Sequence, residues 1–80
     1  MYIDFNTHEY EEVFDPEHAY KFTAPCVVTG KEYTVTIPAD SLFKLQQGLL
    51  IQDACRKMSA DDREFLISGT SPEGWEMIFG

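Results

Sequence analysis

Positive charge, cysteine and long apolar runs are all scarce in this sequence. Six Lys and Arg stand against fourteen Asp and Glu, a net charge of −8 on 80 residues. Gripping nucleic acid through its phosphates requires clustered Lys and Arg, so direct nucleic-acid binding by a basic surface is excluded. No apolar stretch approaches the roughly 18 residues of a membrane span. The first residues lack the basic flank, apolar stretch and small-residue cleavage site of a secretion signal, so a soluble protein of the cytoplasm is expected. Cys26 and Cys55 are fewer cysteines than a secreted disulfide scaffold carries. One disulfide is compatible with the pair, and two reduced, buried thiols suit the setting better. The glycines are isolated at turn positions, so no Gly-rich loop cradles a phosphate. Repeats, linkers and low-complexity tracts are missing as well.

What is there is a core. An apolar content of 44% with 14% aromatics is too high for a disordered acidic tail. A chain this short buries one core, so residues 1–80 are expected to form a single domain.

Local patterns assign the elements. Asn6 or Thr7 can cap a short helix over Asn6 to Phe14, with Glu9 in its first turn, Phe5 and Tyr10 as a hydrophobic staple, and Asp15-Pro16 as its stop. Tyr20 to Thr29 and Glu32 to Ile37 are rich in β-branched and aromatic residues and flank Gly30-Lys31, which suits a two-residue type II′ hairpin. Tyr33, Val35 and Ile37 alternate with Glu32, Thr34 and Thr36, the mark of a half-buried strand. Pro25 implies that the preceding strand starts late or runs along a sheet edge.

Pro38-Ala39-Asp40-Ser41 then opens a helix with Leu42, Phe43 and Leu45 as its apolar stripe and Gly48 as its end. Ile51, Ala54, Cys55 and Met58 share one helical face. Ser59 and Asp62 start a further helix carrying Phe65, Leu66 and Ile67 to Gly69. Ser71-Pro72 opens a last helix with Trp75, Met77, Ile78 and Phe79, read as a lid over the core, and Gly74 weakens it by up to about 1 kcal/mol. The expected class is α+β: a small antiparallel sheet built on a β-hairpin, packed against three to four short helices.

Candidate chemistry is thin. Asp61, Asp62 and Glu64 are explained by the cap and dipole of their helix. Ser41, Ser59, Ser68 and Ser71 have no nucleophile-elbow setting. Cys55 beside Arg56 and Lys57 could gain acidity, but its spacing places it on an apolar face. His8, His18, Cys26 and Cys55 are too scattered for a structural metal site. Two turns nonetheless have the outline of zinc knuckles: Cys26-Val27-Val28-Thr29-Gly30, with Thr29 where a second thiolate would stand, and Ser71-Pro72-Glu73-Gly74, with Ser71 and Gly74 in ligand positions. No catalytic residue, metal or cofactor is expected, and the protein is read as no enzyme.

The charge is unevenly placed. Residues 1–20 hold six acids and no base, whereas residues 21–80 hold eight acids and six bases, so −6 of the net −8 lies in the first quarter of the chain. Such acids can simply aid solubility. Interleaved with aromatics they also resemble a binding face, where rings supply buried area and carboxylates steer a basic partner. The expected partner-binding residues are Asp4, Glu9, Tyr10, Glu11, Glu12, Phe14, Asp15, Glu17 and Tyr20. The expected partner is a basic nucleic-acid-binding protein whose cleft the carboxylates occupy in place of phosphates. Trp75, Ile78 and Phe79 would permit a weak homodimer in place of a monomer.

Val35-Thr36-Ile37-Pro38-Ala39-Asp40, Leu50-Ile51-Gln52-Asp53-Ala54 and Ser59-Ala60-Asp61-Asp62-Arg63-Glu64-Phe65-Leu66-Ile67-Ser68-Gly69 resemble segments of small uncharacterised proteins encoded by bacteriophages and prophages, over roughly residues 26–80. Some of those proteins carry paired cysteines in the knuckle-like turns, which this chain lacks. The resemblance implies work in the bacterial host cytoplasm against a defence system, as an anti-CRISPR inhibitor and DNA mimic acting by protein–protein contact. The alternative it leaves open is a degenerate zinc-ribbon-like accessory or assembly module that binds another protein.

Overall fold

A computed structural model describes residues 1–5, 7–15 and 17–80. The expected α+β class is what it shows, with β1 (Tyr10–Val13), β2 (Ala19–Pro25) and β3 (Glu32–Pro38) in one antiparallel sheet of order β1-β2-β3. Four helices follow: α1 (Ala39–Gln46), α2 (Ile51–Ala54), α3 (Ala60–Ser68) and α4 (Pro72–Phe79). Strand alternation sends Phe22, Ala24, Val35 and Ile37 to one face, where they meet Leu42, Ala54, Cys55, Met58, Phe65 and Leu66 in a single buried cluster.

The helix expected over Asn6 to Phe14 is not formed, because Tyr10–Val13 is a strand. As a helix, this segment would set Glu9 against Glu12 and Glu11 against Asp15 at the spacings where like charges repel. As a strand it pairs Tyr10 with Phe22 and Val13 with Ala19, and gains a sheet partner for its backbone. Upstream, the Thr7 and His8 N–H groups both donate to the Asp4 carbonyl, at 3.2 and 2.9 Å, and close a turn. Asn6 and Pro16, expected as cap and stop, lie outside the described residues.

The hairpin is present but its turn is longer than two residues. Cys26 N–H donates to the Lys31 carbonyl and Gly30 N–H to the Cys26 carbonyl, each at 2.8 Å, so Val27 to Gly30 form the loop. Gly30 supplies the positive φ of +75° that this loop needs. Pro25 is neither late nor at a sheet edge: it is the last residue of the central strand. The Cys26–Lys31 bond and ladder alternation turn the Pro25 nitrogen away from β3, toward a side that β1 has already left at Tyr10.

The helix expectations hold in part. Gly48 ends α1 at φ +95°, but Phe43 of the expected stripe is exposed. The face of Ala54, Cys55 and Met58 is buried as expected, although the helix carrying it stops at Ala54. Ser59 caps α3 by accepting from the Asp62 N–H at 3.2 Å, and Phe65 and Leu66 are fully buried while Ile67 is exposed. The reading of α4 as a lid is overturned, because Met77, Ile78 and Phe79 are all exposed and only Gly74 of that helix is buried. The covering role falls instead to the N-terminal segment. Ile3 is buried and Tyr2 and Phe5 pack on the core, with the Tyr2 and Ile3 N–H groups donating to the Leu66 carbonyl at 2.8 and 3.2 Å. Among the described residues no helix is long and apolar enough to cross a membrane.

Candidate functional site

Strand β1 sorts the nine expected contact residues by alternation. Glu11 stands across from Lys21 and Val13 from Ala19, on the sheet face that no helix covers. Tyr10 stands across from Phe22 and Glu12 from Tyr20, on the face that carries the core. Glu11 therefore parts company with the aromatics, while Glu12 stays with them.

On the uncovered face, Glu9, Glu11, Lys21, Thr23, Glu32 and Thr34 line a shallow depression of about 520 Å³, bordered at the sheet edge by Tyr10. A second depression, of about 290 Å³, continues past Lys21 along Asp15, Glu17, Ala19 and Thr36. Thr23 and Thr34 share a hydroxyl–hydroxyl hydrogen bond of 2.7 Å across β2 and β3. Five carboxylates, Glu9, Glu11, Asp15, Glu17 and Glu32, thus surround one ammonium, and none of them forms a salt bridge among the described residues. Of the five other cations, three pair elsewhere: Lys31 with Glu73 at 3.0 Å, Arg56 with Asp53 at 3.7 Å and Lys57 with Asp40 at 3.9 Å. Glu32 was not among the expected residues. Its place in an alternating strand was legible, but its nearness to Glu9 and Glu11 depends on the three-strand order.

On the other side of β1 the expected aromatic anchors form a row. Phe14 stacks on His18 at 4.8 Å, His18 lies 5.1 Å from Tyr20, and Tyr20 meets Tyr10 edge-on at 5.4 Å. Glu12 belongs to this row and not to the acidic face, since its Oε2 is 2.6 Å from His18 Nε2. Burial, and then the Glu12 carboxylate, push the Tyr20 phenol up. Tyr10 and Phe14 remain exposed, while Tyr20 is half-buried. Asp4 is in neither group: it sits beside Phe5 and Gln46, with its N–H donating to His8 Nδ1 at 3.0 Å.

The two knuckle-like turns, remote in sequence, do meet. Val27 N–H donates to the Gly69 carbonyl at 2.9 Å, and Ser71 N–H donates to Cys26 Sγ at 3.3 Å. Ser71 Oγ accepts from the Gly74 N–H at 3.2 Å, and a Cβ at Gly74 would lie only 2.8 Å from Cys26 Sγ. Positions 29, 71 and 74 thus gather about the Cys26 thiol, which takes the Ser71 N–H···S bond. Among the described residues no group of three or more His, Cys, Asp or Glu could hold a metal ion.

Burial pushes the Cys26 thiol up, but the Ser71 hydroxyl, followed by the N–H groups of Ser71, Thr29 and Val28, outweighs it and brings it down to about 6 from 9.0. The folded value then lies below the unfolded one, so the thiolate adds stability above pH 9.0 that is lost as pH falls through about 6. The urea midpoint should accordingly rise between those pH values, and replacing Cys26 by Ser should flatten the slope. Thiolate absorbance titrating near the ordinary thiol value would contradict this.

Cys55 behaves oppositely: burial pushes its thiol up against the pull of Arg63. The Asp62 carboxylate accepts from the Tyr33 hydroxyl at 2.7 Å, and burial together with that contact raises the phenol to about 12. No protein-family model, curated protein sequence or solved structure matches the chain.

Proposed function

We propose that the protein is a non-catalytic binding protein whose acidic sheet face docks in a cationic groove of a nucleic-acid-handling protein, occupying the place of phosphates. The observation that carries this reading is the set of five carboxylates along an uncovered sheet face with one lysine among them and, among the described residues, no salt bridge to any of the five. Glu11 and Glu32 are held on strands and Glu9, Asp15 and Glu17 flank them, so their fields add up over the face and steer a basic partner. The likeness to phage-encoded proteins extends the proposal to a bacterial defence complex, with inhibition of CRISPR interference as the biological effect.

The test is phage plating on a host with active CRISPR interference, with and without this protein, followed by measured binding to the purified complex. Charge reversal of Glu9, Glu11 and Glu17 to Lys should weaken binding by roughly a hundredfold or more while the circular dichroism spectrum is unchanged. Binding should also weaken as salt is raised. Undiminished inhibition by the reversed variant would overturn the proposal.

The convergence of positions 26, 29, 71 and 74 favours a second reading, a ribbon-like module that has replaced metal with N–H···S bonds and binds another protein through its hairpin tip and α4. Val27, Val28, Met77, Ile78 and Phe79 are the exposed apolar residues of that end. Binding that resists salt and charge reversal but is lost on changing Phe79 to Ser would select it.

A further inference from the structure

The two edges of the sheet are built differently. β1 is four residues long and its flank carries Glu9, Glu11 and Glu12, the charged and shortened form by which proteins keep strand edges from pairing. β3 is seven residues long, has one charge, Glu32, at its start, and is otherwise Tyr, Val, Ile, Thr and a terminal Pro. It has no such protection.

The register fixes which backbone groups β3 leaves open. The Cys26–Lys31 and Ala39–His18 N–H···O bonds bracket the β2–β3 ladder, so Tyr33, Val35 and Ile37 exchange their bonds with β2. Glu32, Thr34 and Thr36 therefore turn their N–H and C=O groups outward. All three residues are exposed, and their N–H groups have no backbone acceptor among the described residues.

We propose that this edge of β3 pairs with β3 of a second copy, antiparallel about a two-fold axis at Thr34. That register uses every outward pair, Glu32 with Thr36, Thr34 with Thr34, and Thr36 with Glu32, and so closes six hydrogen bonds. It sets each Glu32 opposite a threonine and avoids the like-charge pairing that a register centred on Glu32 would create. The pair at the axis sets threonine against threonine, as Thr23 and Thr34 are set within the chain, here at a hydrogen-bonded position. An axis normal to the sheet joins the two uncovered faces into one six-stranded surface. The two β1 strands then lie about 24 Å apart, five inter-strand spacings of about 4.8 Å.

The dimer does not depend on the proposed function, and the two respond oppositely to salt. Each copy carries −8, so self-association should strengthen as salt screens the repulsion. The test is sedimentation equilibrium of the full chain in low salt and in about 1 M NaCl, where the Debye length is about 3 Å. The expected result is a shift from the 9.2 kDa species toward twice that mass at high salt.

Thr34→Pro removes only an outward N–H, leaves the β2–β3 ladder bonds intact, and should weaken association at least tenfold. Thr34→Glu, which sets two carboxylates face to face at the axis, should do the same without proline. Thr23→Glu, on the central strand, should associate as the parent does. A 9.2 kDa species at every concentration in high salt would overturn the proposal. So would parent-like association of both Thr34 variants, or association abolished by Phe79→Ser and untouched by Thr34→Pro.

Discussion

Truncation of Phe65 to Ala is expected to destabilise the protein by about 3–5 kcal/mol, read as a fall in the urea midpoint followed by aromatic fluorescence. The ring is fully buried, lies 4.9 Å from Tyr33 and meets Tyr2 edge-on at 5.8 Å. Its removal leaves a cavity between the N-terminal segment and β3, and neither neighbour can collapse into it. Tyr2 is tied by its hydroxyl to the Pro25 carbonyl at 2.6 Å, and Tyr33 by its hydroxyl to Asp62 at 2.7 Å. A domain of this length has a total stability of only about 4–12 kcal/mol, so the variant should be substantially unfolded in mild denaturant. A loss below about 1 kcal/mol would mean that the N-terminal segment does not close the core as described.

Replacement of Gly69 by Ala is expected to cost about 2–4 kcal/mol, from two separate sources. Gly69 ends α3 at φ +78°, a conformation that strains any residue with a Cβ. A Cβ there would also stand 2.7 Å from Cγ of the Tyr2 ring, and the ring has no room to retreat because both its N–H and its hydroxyl are bonded. The same residue presents its carbonyl to Val27, so the strain would be transmitted to the hairpin loop. Thermal unfolding separates the two sources. Combining Gly69→Ala with Tyr2→Ala should recover the steric share and leave the conformational one, whereas strict additivity of the two losses would refute the contact.

Charge asymmetry singled out the first twenty residues, and the local reading of that stretch gave it the wrong geometry. Composition located the acids, and the capping residues and aromatic staple favoured reading Asn6 to Phe14 as a helix against the weak like-charge repulsion at its i,i+3 and i,i+4 spacings. Only pairing with β2 made a strand of Tyr10–Val13, and with it the division of Glu9 and Glu11 from Glu12 and Tyr10 between two faces. Glu32 joined the acidic face for the same reason. Gly74 shows a related limit: helix propensity marks it as a weak point, while its neighbours show that no larger residue fits against Cys26.

What the sequence determined by itself was whatever short-range physics decides. The alternation of β3, the serine caps of α3 and α4, the glycine ends of α1 and α3 and the α+β class all follow from the preferences of residues a few positions apart. Tertiary structure decided whatever depends on which distant segment supplies the partner. That includes the strand fate of the acidic block, the covering of the core by Tyr2, Ile3 and Phe5 in place of α4, and the meeting of the Cys26 and Ser71 turns. Burial of apolar area is nearly indifferent to sequence order, so it selects among covers by shape. Tyr2 and Ile3 could also satisfy the carbonyl of Leu66, which the apolar side chains of α4 had no means to do.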